Sequence, residues 1–132
     1  MSGGLITSWG VVLELDGSLG AGACFEAGRD AYFERCPRLA AALANAGAHL
    51  EVVPRMPAAT LTGSVSVGVS VTEVLPASFV MAVRIRGEQD AIHDGRATVT
   101  IRADSGSGPA LPIPRDVRDE FIAIQRGARD YL

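Results

Sequence analysis

Residues able to do chemistry crowd into one stretch, LELDGSLGAGACFEAGRDAYFERC, from Leu13 to Cys36. Two carboxylates, Asp16 and Glu26, stand on either side of glycines 17, 20 and 22. A carboxylate can attack a carbonyl carbon, forming an anhydride that water opens, or it can align water as a general base. The sequence does not choose between these routes. Both build negative charge on the carbonyl oxygen, which needs hydrogen-bond donors already in place. A helix start has them, because its first backbone N–H groups lack partners and carry a partial positive charge. Gly20 and Gly22 leave that backbone bare enough for close approach. The amides of Gly22 and Ala23 are therefore candidate oxyanion donors, and Arg29 is a candidate substrate contact.

Each of these residues also has a plainer reading. Asp16 before Gly17 is an ordinary turn residue after a strand. Glu26, Arg29 and Asp30 can be an ion-paired helix face. Cys24 reads as a small core hydrophobe. His49, at a strand start, and His93, in a turn, read as solvated. Arg84, Arg86 and Arg102 point outward from strands, as a wet face does.

The elements that must hold the stretch follow from periodicity. From Leu5 to Leu15 the apolar odd positions Leu5, Trp9, Val11, Leu13 and Leu15 form one strand face, with Glu14 and Asp16 on the other. Glycines then break the strand. Ala21 to Cys36 reads as a helix whose apolar face is Cys24, Phe25, Gly28, Ala31 and Tyr32. Pro37 stops or kinks it, and RLAAALANAG gives a second helical piece closed by Gly47. HLEVVPRM is a strand that Pro54 assigns to an edge or a bulge.

The clearest alternation is TLTGSVSVGVSVTEV, where Leu61 and Val65, Val67, Val69 and Val71 face inward and Ser and Thr, Ser70 among them, face outward. SFVMAVRIRG and GRATVTIRAD repeat the pattern, joined by the turns VLPAS and GEQDAIHDG. RDVRDEFIAIQRGARDYL closes the chain as a helix through Val117, Phe121 and Ile124. The class is α+β: an antiparallel sheet that must cover its apolar face, with residues 21–47 as the cover around which it curls.

The chain has 132 residues, 48% of them apolar and 20% charged, with a net charge of -3. These values fit one globular domain, 1–132, and no basic stripe points to nucleic acid. No run of about 18 apolar residues is present to span a membrane. The start, MSGGLITSW, lacks the features of a signal peptide. Cys24 and Cys36, about 18 Å apart if one helix carries both, are too distant to bridge. No metal-ligand spacing occurs, so no metal or cofactor is expected. A cytoplasmic protein with reduced thiols is the simplest reading.

This order of elements resembles the hotdog fold, a curved antiparallel sheet wrapped around a central helix. The local residues resemble the 4-hydroxybenzoyl-CoA type of acyl-CoA thioesterase within that superfamily. Its pattern is a strand ending in Asp, a loop, and a helix with an acid closely followed by Arg. Here that is Asp16 and FEAGRDAYFERC. GSVSVGVSVTEVLPASFVMAVRI, DGRATVTIRAD and ALPIPRDVRDEF resemble the later strands and the tail, so the resemblance covers nearly the whole chain. It implies hydrolysis of an acyl thioester of CoA or of an acyl carrier protein, with Asp16 favoured as the acid. Another thioesterase branch carries its acid on the helix after a Gly-Gly loop, which LGAGACFE resembles, so Glu26 is second.

The resemblance further implies a homodimer or homotetramer with sites between subunits; separately, one or two of the outward Arg84, Arg86 and Arg102 are candidates for contacts with CoA phosphates. One departure stands out. The usual longer loop with its His-Asn-Asn stretch is reduced here to GSLGAGAC. That favours the alternative of a catalytically inactive hotdog protein that binds a ligand or serves in assembly. A hotdog dehydratase ranks last, since neither His lies near the helix entrance. Trp9, Phe25 and Phe33 are the large residues able to close a pocket at the subunit seam.

Overall fold

The computed structural model describes residues 8–103 and 108–128. In chain order it contains β1 (Val11–Asp16), a 3-10 turn (Gly17–Leu19), α1 (Ala21–Glu34), α2 (Pro37–Ala46), β2 (His49–Arg55), β3 (Ser64–Val74) and β4 (Ser78–Arg86). A second 3-10 turn (Glu88–Asp90), β5 (Ile92–Arg102) and α3 (Arg115–Arg126) follow. The strands form one five-stranded sheet in the order β1-β3-β4-β5-β2, and every neighbouring pair is antiparallel. Among the described residues β1 and β2 are its edge strands, so Pro54 sits on an edge, where its missing N–H breaks no ladder.

The alternation read from the sequence places the core. Val65, Val67, Val69 and Val71 on β3 are buried, as are Phe79, Met81, Val83 and Ile85 on β4 and Ala97, Val99 and Ile101 on β5. α1 lies against them through Cys24, Phe25, Gly28 and Tyr32. Contact is close enough that a Cβ on Gly28 would stand 2.6 Å from Val69 Cγ2. α2 ends as expected at Gly47, in the left-handed region at φ 58° and ψ 36°.

Five details depart from the sequence reading. First, α1 stops at Glu34 rather than Cys36, and Cys36 becomes the N-cap of α2, with Pro37 in the first turn, where its missing N–H costs nothing. Cys24 thus lies within α1 and Cys36 at the junction before α2, both free and buried.

Second, Trp9 does not share a face with Val11. Its ring lies on the outer face of the sheet, with the Arg84 guanidinium 5.6 Å from its centroid, and it is only 3% exposed. Gly10 turns into the core instead, where a Cβ would come within 2.8 Å of Tyr32 and 2.9 Å of Gln125. Third, that crossing covers Ser70, which is buried rather than wet. Its hydroxyl accepts from the Gly10 amide at 3.0 Å and donates to the Ser8 carbonyl.

Fourth, the turn in GEQDAIHDG is confined to the stretch before Ile92. Ile92 to Gly95 pair with β4, so His93 is a strand residue. Pairing with a long neighbouring strand outweighed a composition typical of turns. Fifth, the helices at 21–47 are not the sole cover. α3 buries Val117, Phe121 and Ile124 in the same core, and the Phe121 ring centroid is 4.7 Å from that of Phe79.

Candidate active site

β1 delivers Asp16 to the end of its ladder, opposite Ser64 on β3. The next residue leaves the sheet, and the Gly17 amide donates to the Gly63 carbonyl at 2.7 Å. The Asp16 carboxylate then caps the 3-10 turn, accepting from the Ser18 amide at 2.9 Å. That bond, aided by the Ser18 side chain, holds the Asp16 carboxyl below its ordinary range. Asp16 is exposed and ionised at neutral pH. Burial first, and then the charge of Asp16, push the Cys24 thiol up, which makes Cys24 a core residue and a poor nucleophile.

Gly20 is the N-cap of α1, at φ 93° and ψ 159°, and provides no side-chain cap. Its carbonyl accepts the Cys24 amide at 3.0 Å, so the amides of Ala21, Gly22 and Ala23 are those the helix itself leaves unused. A Cβ on Gly20 or Gly22 would meet nothing within 4 Å. The first turn of α1 is therefore uncapped and approachable, which is the geometry an oxyanion requires.

The structure brings Gly22, Glu26 and Arg29 together. They line a cleft of about 290 Å³ between α1 and the edge strand β2, walled by Phe25, Val52 and Met56. Glu26 is exposed there. Arg29 pairs with Asp30 at 3.1 Å, and its guanidinium lies 5.8 Å from the centroid of the Phe25 ring. Asp16 does not share this cleft. It lines a separate depression of about 410 Å³ with Glu14, Gly63 and Ser64.

Val52 and Met56 were missed by sequence reasoning. The strand period of HLEVVPRM assigns Val52 to the inner face, opposite Val99, but nothing local tells that this end of β2 adjoins α1. Phe25 is buried, and Phe33 packs edge-on to Phe79 with ring centroids 6.3 Å apart.

The outward arginines expected to meet phosphates are each occupied. Arg84 pairs with Asp94 at 2.8 Å, Arg86 with Asp90, and Arg102 with Glu51 at 3.1 Å. Among the described residues, no group of three or more His, Cys, Asp or Glu could hold a metal ion. No helix among them is long and apolar enough to cross a membrane.

No protein-family model matches the sequence, and no curated protein is significantly similar to it. Solved structures do match in shape. A thioesterase from Thermus thermophilus, solved with coenzyme A and zinc, superposes at a TM-score of 0.61 with 16% identity, over 90% of this chain and 97% of its own. A 1,4-dihydroxy-2-naphthoyl-CoA thioesterase from Synechocystis gives a TM-score of 0.59 and 12% identity, covering 84% of this chain and 94% of its own. A gentisyl-coenzyme A thioesterase gives 0.56 and 17% identity, covering 85% and 99%. At such identities the likeness is one of architecture, and the architecture is that of the hotdog fold.

Proposed function

We propose that this chain hydrolyses an acyl thioester. The observation that carries the reading is the uncapped first turn of α1, with Gly20 and Gly22 unobstructed and a carboxylate on each side of it in the chain. The fold shared with solved thioesterases supports it. The thioester carbonyl points its oxygen at the amides of Gly22 and Ala23. Asp16, ionised and exposed, is the favoured acid. If it attacks, the C–S bond breaks, the thiolate leaves and takes a proton from solvent, and water opens the mixed anhydride to the free acid and the regenerated carboxylate. If it acts as base, it takes a proton from the attacking water, the C–S bond breaks, and that proton passes to the leaving thiolate. Glu26 is the second candidate for this role, since it shares a cleft with Gly22 and Arg29. Phe25, Val52 and Met56 give the acyl group an apolar wall.

The thiol carrier is CoA or an acyl carrier protein. The edge strands β1 and β2, which pair with no further strand among the described residues, favour assembly, because sheet edges are commonly closed by pairing. A homodimer completes the site between subunits in this reading, and a tetramer doubles it. One observation favours the alternative of a non-catalytic, ligand-binding or assembly subunit: the Asp16 carboxylate already caps Ser18, as any turn aspartate would.

The test is thiol release from a panel of short, long and aromatic acyl-CoAs, for wild type beside Asp16→Asn and Glu26→Gln. Turnover by wild type with a loss of about a hundredfold or more in one variant identifies the acid. No release from any acyl group points to the non-catalytic reading.

A further inference from the structure

The sheet face turned away from α1 carries a feature that the proposed reaction does not use. Arg55 on β2 and Arg96 on β5 are opposite each other in register, and Arg96 is opposite Ala82 on β4. Opposed residues of antiparallel strands point to one face with Cβ atoms about 5 Å apart, and like charges there are destabilising. Arg84, Arg86 and Arg102 on this face each have a carboxylate. Arg55 and Arg96 have none among the described residues. They stand at one side of a cleft of about 420 Å³, with Val80 and Ala82 as its floor and Trp9 and Arg84 at its other side.

Arg84 is unusually fixed. Its Nε and one terminal nitrogen donate to the two oxygens of Asp94 at 2.8 and 3.0 Å, and its guanidinium lies over the Trp9 ring. A planar cation locked this way is a platform on which an aromatic heterocycle can stack. Two guanidinium forks with free donors suit a phosphate group, whose oxygens take paired N–H bonds. The volume is that of a small-molecule site.

We propose that this outer-face cleft binds a nucleotide, with its phosphate held between Arg55 and Arg96 and its base directed along Val80 and Ala82 toward Arg84. The anion offsets the repulsion between the two arginines, which have no carboxylate partner among the described residues. The ligand is either a free nucleotide or the nucleotide end of CoA. The cleft lies around the edge of β2 from the Glu26 cleft, since Arg55 lines the former and its neighbour Met56 the latter.

Trp9 is the only tryptophan of the chain, so its emission reports occupancy without any turnover. The experiment titrates the protein with adenosine 3′,5′-bisphosphate, with CoA and with adenosine, following Trp9 fluorescence and thermal denaturation. A saturable change with the bisphosphate and none with adenosine is expected. Arg55→Gln and Arg96→Gln should each weaken binding by about tenfold or more. In the ligand-free protein each should raise the melting temperature by a shift on the order of 1–2 °C, as the repulsion is relieved. Equal binding of CoA and the bisphosphate identifies the carrier as the source, and binding of the bisphosphate alone identifies a free nucleotide. The proposal is overturned if no nucleotide changes emission or melting, or if both variants bind like wild type. It is also overturned if only an acidic carrier protein binds in an arginine-dependent way. Since binding is read without hydrolysis, these outcomes stand apart from the fate of the thioesterase reading.

Discussion

Glu120 of α3 caps α2 at Leu39: its carboxylate accepts from the amides of Arg38 and Leu39 at 2.9 and 3.1 Å. α2 has no cap of its own, since Cys36 at the N-cap makes no side-chain hydrogen bond to the helix start and Pro37 has no N–H to offer. The negative charge also meets the positive end of the α2 dipole. Glu120→Ala should therefore lower the unfolding free energy by about 1–2 kcal/mol, with a smaller loss for Glu120→Gln. Urea denaturation measures it. Wild-type stability in the alanine variant would show that the contact contributes nothing.

Gly28 marks where α1 meets β3 most closely. A methyl group there would press on Val69 Cγ2 at 2.6 Å and Val67 Cγ1 at 3.2 Å. Alanine gains helix propensity of roughly 0.5–1 kcal/mol, but overpacking costs about 1–3 kcal/mol. Gly28→Ala is expected to be destabilised on balance. Combined with Val69→Ala, which removes the obstructing methyls, its cost should fall below the sum of the single effects. A double-mutant cycle in denaturant decides this, and simple additivity would mean that the helix shifts to make room.

Asp16 predicts the acid limb of the pH profile. Its folded pKa is depressed, first by the Ser18 amide and then by the Ser18 side chain. A carboxylate acting as nucleophile or base works only when ionised, so turnover should persist down through the ordinary aspartate range and fall only below it. The Ser18 contact likewise stabilises the fold above the unfolded pKa and is lost as pH falls through the folded one. Ser18→Ala leaves the amide in place and should move the acid limb upward only slightly. A limb near pH 6 in wild type would exclude Asp16 as the titrating group.

Tyr32 and Cys36 predict the opposite limb. Burial, followed by the charge of Glu120, pushes the Cys36 thiol up to about 12. Burial, followed by Cys36, pushes the Tyr32 hydroxyl up as well. Groups with raised folded pKa values leave stability intact below the unfolded values and remove it as pH rises beyond them. Stability should thus decline from about pH 9 upward. Native protein at pH 8 should react with a thiol reagent at neither Cys24 nor Cys36, both being buried, and should react at both once unfolded. Rapid labelling of either thiol in the native state contradicts this packing.

Much of the architecture was legible along the chain because it rests on period and local chemistry. The alternation of Val65 to Val71, the buried stripe Cys24–Phe25–Gly28–Tyr32 and the Gly47 cap depend on residues next to each other in sequence. The glycine-bounded start of α1, the most specific part of the candidate site, was legible for the same reason.

Other features depend on which distant surfaces meet. A strand pattern puts Trp9 beside Val11, yet the core has no room for a side chain at residue 10, where Tyr32 and Gln125 already stand. Gly10 therefore turns inward, and Trp9 goes to the outer face. Ser70 reads as a wet residue until the chain before β1 crosses over it. Arg84 and Arg96 are equivalent in sequence, both outward on strands, but cross-strand register gives one an aspartate and the other an arginine. Glu120 is a helix-surface acid until α3 meets the bare start of α2. Periodicity determines which face a residue belongs to, because backbone geometry is local. What covers that face, and which charge lies opposite, follows from sheet order and helix docking, where the partners lie tens of residues away.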